Sequence, residues 1–128
     1  MPAPQHLSIT AALLAVRFPG IEADLRAVCG WLHVPTQECL NLILQNEPAA
    51  RYRTGAREME ATYPEFPEEA ARAAKIVALL QRGAPPWPLC VDDQDGFVME
   101  GRHRVVAMIQ LGHDPLPVLR IRRRESTP

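Results

Sequence analysis

Gly101, Arg102, His103 and Arg104 stand where the chain passes from a short apolar run into helical spacing. Phe97, Val98 and Met99 make the apolar run. Glu100-Gly101 reads as a sharp turn, and Val105, Met108 and Ile109 then recur at helical intervals until Gly112. The first N–H groups of a helix have no partner within it, and the helix dipole favours negative charge there. Two arginines and a histidine at that end add forked and titratable donors suited to phosphate oxygens. Arginine in a first helical turn opposes the dipole, by roughly half a kcal/mol each. A rule broken locally points to function. The competing reading is a solvated helix end.

Other side chains could serve the same chemistry. A carboxylate at Glu100, beside a phosphate site, can hold Mg²⁺ or orient a hydroxyl; it can equally do no more than offset the arginines. Arg51 and Arg53 lie in a polar stretch and could reach the same phosphates. Asp92, Asp93 and Asp95 could chelate a metal, but Asp93-Gln94-Asp95-Gly96 reads first as a solvated turn. Residues Leu25 to Leu44 loosely follow a helix-turn-helix pattern. Its second helix, from Thr36, offers Gln37, Asn41 and Gln45 with Glu38 and no basic residue, so packing is preferred to DNA reading. Arg120 to Arg124 reads as a solubilising tail before a nucleic-acid contact. Trp31 and Trp87 read as core or rim, His6 and His33 as surface residues, and His113-Asp114 as a loop feature.

Composition bounds these readings. The chain has 128 residues and a net charge of −1, which fits one domain and argues against a broad non-specific nucleic-acid binder. Cys29, Cys39 and Cys90 are odd in number and match neither a redox pair nor a zinc pattern. Reduced thiols and a cytoplasmic address are the expectation. No apolar run has the length of a membrane span, and Met1 to His6 lacks a signal-peptide pattern. Neither a membrane partner nor a particular oligomeric state is indicated.

The elements that must position the basic turn follow from periodicity. Residues 1–7 read as loose. A helix capped by Ser8 or Thr10 carries Leu13, Leu14 and Val16 and stops at Phe18-Pro19-Gly20. A second helix spans Ile21 to Leu32, with Ile21, Leu25, Val28 and Leu32 on one face. Residues 37–46 suit a helix or a short strand, and helix is chosen. Glu47 to Gly55 reads as a loop or extended arm, and 56–62 as a short helical piece. Tyr63-Pro64-Glu65-Phe66-Pro67 breaks the chain. A helix over 68–82 carries Ala73, Ile76, Val77 and Leu80, with Gly83 after its end. Leu89-Cys90-Val91 and Phe97-Val98-Met99 form a hairpin, and 117–122 an edge strand with one wet face.

This order, helix, strand, turn, strand, Gly-x-His-Arg helix and strand, resembles the ParB/sulfiredoxin fold over residues 68–122. The resemblance is carried by Pro88-Leu89-Cys90-Val91, Gly96-Phe97-Val98, Glu100-Gly101-Arg102-His103-Arg104, Ala107, Gly112 and Leu116-Pro117-Val118. Gln45-Asn46-Glu47-Pro48 with Arg51 is similar to the Asn-x-Pro…Arg segment after that family's first strand. Members bind nucleoside triphosphates at the glycine turn. The resemblance therefore implies that Gly101 allows close approach and that His103 and Arg104 contact phosphate. Arg102 stands where sulfiredoxins have their catalytic cysteine and where partition proteins have an acid. The variant most similar to this one is the Asp-Gly-His-His-Arg of small-molecule kinases, with Glu100 for the aspartate. Those kinases need a further glutamate, for which Glu47, Glu58 and Glu65 are available.

The expectation is thus an α+β chain, with an N-terminal helical section over residues 1–55 and a ParB/sulfiredoxin-like core over 56–128, together one compact unit. Its small mixed sheet would carry packed helices. The expected ligand is a nucleoside triphosphate or another phosphorylated small molecule, with Mg²⁺. Gly101, Arg102, His103, Arg104 and Arg51 would bind it. Arg102 would neutralise developing charge, and Glu100 would serve metal or substrate if phosphoryl transfer or hydrolysis occurs. The alternative is a non-catalytic DNA-associated regulator or protein-interaction module on the same fold.

Overall fold

A computed structural model describes residues 7–124. The protein is α+β. Its elements are β1 (Leu7–Ser8), α1 (Ala11–Arg17), α2 (Ile21–Trp31), β2 (Leu40–Glu47), α3 (Ala50–Ala61), α4 (Pro67–Gln81), β3 (Leu89–Asp92), β4 (Val98–Glu100), α5 (Arg102–Gln110) and β5 (Leu116–Arg123). The strands form one sheet in the order β1-β2-β5-β3-β4. The chain divides into two compact units, both discontinuous in sequence. The first takes in the described residues up to 45, residues 90–100 and those from 118 onward. The second takes in 46–89 and 101–117.

In the first unit, Thr10 caps α1 by accepting the Leu13 N–H at 3.2 Å. The next helix, α2, buries Ile21, Leu25 and Val28 completely, as their spacing requires. It packs on α1 and on β4. The helix expected over 37–46 is not formed. One 3₁₀ turn at Gln37–Cys39 leads into β2, where Leu40 and Leu42 alternate inward. Leu44 and Ile43 pair with Leu7 and Ser8 of β1 in antiparallel register. A continuous apolar run fits either period, and strand pairing decides it here. The second helix of the helix-turn-helix pattern is lost with it, so Asn41 and Gln45 lie on a strand. Leu7, expected in the loose stretch, belongs to β1; residues 1–6, including His6, lie outside the described residues.

A second correction concerns β5. Expected at an edge, it lies between β2 and β3. Val118, Leu119 and Ile121 are all fully buried, so both faces are covered and the wet face begins only near Arg122. The β3–β4 hairpin forms as expected. Its register passes from Cys90–Glu100 to Val91–Val98, so β4 accommodates one extra residue as a bulge just before the basic turn.

In the second unit, α3 is one helix where a loop and a short helical piece were expected. Tyr52 and Ala56, one turn apart, are buried, and packing of that face outweighs the cost of Gly55 inside a helix. Asp114 Oδ1 accepts the Ala49 N–H at 3.1 Å and anchors the helix start. Pro67 opens α4, with Glu68 and Glu69 in its first turn as the dipole favours. Val105, Val106, Ala107 and Met108 bury α5, which packs against α3 and α4. Among the described residues no helix is long and apolar enough to cross a membrane.

Candidate functional site

Gly101 is the N-cap of α5, at φ 101° and ψ 22°, a left-handed conformation that L-residues with a Cβ disfavour. No side chain caps the helix there. Val105 N–H bonds Gly101 O at 2.9 Å as the first bond of the helix. The amides of residues 102–104 are therefore left without an intrahelical acceptor. Arg104 folds back over the turn. Its Nη2 donates to Pro88 O at 3.1 Å and would lie 2.8 Å from a Cβ at position 101.

The three basic side chains take different directions. Arg102 is exposed and forms neither a hydrogen bond nor an ion pair among the described residues. His103 Nε2 bonds Glu69 Oε2 of α4, forming a short ion pair when the imidazole is protonated. That hydrogen bond holds the Glu69 carboxyl below its usual range, with the positive charges of His103, Arg72 and Arg102 adding to the effect. Tyr63 lies in the same field. Burial pushes its phenol upward, Glu60 and Glu69 add to this, and Arg102 opposes it. Its hydroxyl is buried with no hydrogen-bond partner among the described residues. Glu69 and Tyr63 were not singled out in the sequence. Thirty-odd residues of chain separate Glu69 from His103, and no local pattern connects them.

An apolar cavity of about 240 Å³ lies against Arg104, lined by Ile76, Leu79 and Leu80 of α4, Ala84, Pro85, Trp87 and Met108. The same guanidinium therefore touches the turn and walls this space.

Arg51 does not stand free: its Nη1 donates to Glu47 Oε1 at 3.0 Å. Tyr52 Oη donates to the same oxygen at 2.8 Å. Of the glutamates available for catalysis, Glu47 is 1% exposed, whereas Glu58 and Glu65 are on the surface. Arg53 lies 3.7 Å from Asp114 Oδ2, so Asp114 ties two points of α3 and is more than a loop feature.

In the first unit, Glu100 Oε1 accepts the indole N–H of Trp31 at 3.4 Å. No cluster of three His, Cys, Asp or Glu side chains is placed to hold a metal among the described residues. One carboxylate does not make a Mg²⁺ cage. The hairpin aspartates are occupied otherwise. Asp92 and Asp95 accept the N–H groups of Gln94 and Phe97, both at 2.9 Å, and Asp93 lies 3.7 Å from Arg120. The three cysteines are free thiols, and burial, then the nearby Cys39 and Glu38, pushes the Cys29 thiol up.

No family model matches the chain, and no curated protein or solved structure matches it either.

Proposed function

We propose that the protein binds a nucleotide, or another phosphorylated small molecule, at the turn from Gly101 to Arg104, in a domain of the ParB/sulfiredoxin type. One observation carries the reading. The helix α5 starts on a left-handed glycine, has no side-chain cap, and puts an exposed arginine in its first turn. The element order α4, β3, β4, α5, β5 supports the family reading. Arg102 is the donor ready for a phosphate oxygen. His103 and Arg104 join by exchanging Glu69 and the Pro88 carbonyl for the ligand, and Arg51 by releasing Glu47. The apolar cavity walled by Arg104 offers a seat for the ligand's non-phosphate part. In the catalytic form of this reading, Arg102 neutralises developing charge. The free thiols fit a cytoplasmic address.

A second reading is a non-catalytic interaction module. It is favoured by the pairing of His103 with Glu69 and of Arg104 with Pro88 O, in which two of the three basic groups hold the protein itself.

Thermal shift with nucleoside mono-, di- and triphosphates, with and without Mg²⁺, separates the two. Ligand at a hundred times its dissociation constant adds about 2.7 kcal/mol. A shift that Arg102→Ala diminishes supports the nucleotide site. Absence of any shift rejects it and leaves the interaction module.

A further inference from the structure

The first unit carries an arrangement that the nucleotide reading does not use. A cleft of about 880 Å³ there is lined by Arg122, Arg123, Arg124, Asn41, Leu32 and the Asp92–Gln94 turn. The three arginines are exposed at the end of β5. The last of them is fixed to the 3₁₀ turn before β2, its backbone N–H donating to Cys39 O at 2.6 Å. Within the same unit, Trp31 and Phe97 are 56% and 57% exposed. Their rings meet edge to face, with centroids 6.4 Å apart. Two backbone links join this pair to the cleft. Leu32 follows Trp31 directly, and the Asp92 N–H donates to Phe97 O at 2.9 Å. The aromatic pair is thus next to two residues that line the cleft, Leu32 and Asp92.

Each half of this arrangement has a physical oddity. Large aromatic side chains left half in water waste burial that the core could use. An arginine run at the end of a strand repels itself, and Asp93 lies 3.7 Å from Arg120 and 3.9 Å from Arg122. A single-stranded nucleic acid satisfies both: its phosphates meet the arginines, and its bases stack on exposed aromatic faces. Asn41 and Gln94 offer amides to base edges. The aspartates of the turn and Glu100, bonded to Trp31, weaken the attraction, so affinity depends on stacking as well as on charge.

We infer that this cleft and the neighbouring pair Trp31 and Phe97 bind single-stranded nucleic acid. Apart from Glu100, which accepts the Trp31 N–H, the residues are distinct from those of the α5 turn, so the inference stands or falls apart from the nucleotide reading.

The test is fluorescence anisotropy of the full chain with labelled oligothymidylate and oligouridylate of about 12 nucleotides, against a duplex of the same length and against polyglutamate. The single strands are expected to bind in preference to both competitors. Trp31→Ala should weaken binding by about tenfold or more, and Trp31→Tyr should keep most of it. The double variant Arg122→Ala, Arg123→Ala should flatten the slope of log affinity against log salt by about 1.4. Arg57→Ala, an exposed arginine on α3, should leave affinity unchanged. Far-ultraviolet circular dichroism establishes that each variant is folded. No binding at low salt, indifference to Trp31→Ala, or equal binding of duplex or polyglutamate overturns the inference.

Discussion

A methyl group placed on Gly101 would lie 2.8 Å from Nη2 of Arg104. The glycine therefore answers two demands, a backbone at positive φ and space for the guanidinium that reaches Pro88 O. Gly101→Ala should lower stability by about 1–3 kcal/mol, read from urea denaturation. Adding Arg104→Ala removes the crowding but not the backbone strain. The pair should then cost less than the sum of the two single changes. Strict additivity would show that the guanidinium does not lie over the turn.

The bond from His103 to Glu69 should be visible in the pH dependence of stability. The folded pKa of Glu69 is depressed. Its contribution is therefore present above the ordinary carboxylate pKa and is lost as pH falls through the depressed folded value. Glu69→Gln should be less stable than the parent at neutral pH and indistinguishable from it in acid. Denaturation midpoints of both proteins across that range test this; a deficit that persists unchanged into acid would refute it.

Glu47 gives a third comparison. Its carboxylate is buried, Tyr52 is buried with it, and Arg51 is 58% exposed. Removing the phenol hydroxyl takes a donor from a buried charge, so Tyr52→Phe should cost about 1–3 kcal/mol. Arg51→Ala removes a solvent-screened partner and should cost about 1 kcal/mol or less. Chemical denaturation of the two variants checks the order, and the reverse order would mean that Arg51 is the main support of Glu47.

What could be read from the sequence was governed by local pattern. The apolar stripe of α2, the proline and acidic start of α4, and the Gly101 turn each announce themselves within a few residues. The strand β2 did not. Leu40, Ile43 and Leu44 fit a helical face as well as a strand, and the choice is made by pairing with β1, distant in sequence. The place of β5 differs because the alternation over 117–122 suggests an edge strand with one wet face. Arg120 instead lies near Asp93, and the strand is covered on both sides. At the candidate site, the basic residues were legible but their partners were not, since Glu69 and the Pro88 carbonyl reach them only through tertiary packing.

The two compact units are each stitched from separated stretches, with borders near residues 45, 90, 100 and 118. Neither can be produced as an uninterrupted gene fragment, because any piece long enough to include one carries part of the other. Truncation from either end cuts into the first unit alone, and no truncation isolates that unit from the second. Single substitutions in the intact chain are the way to tell the work of the α5 turn from that of the arginine cleft.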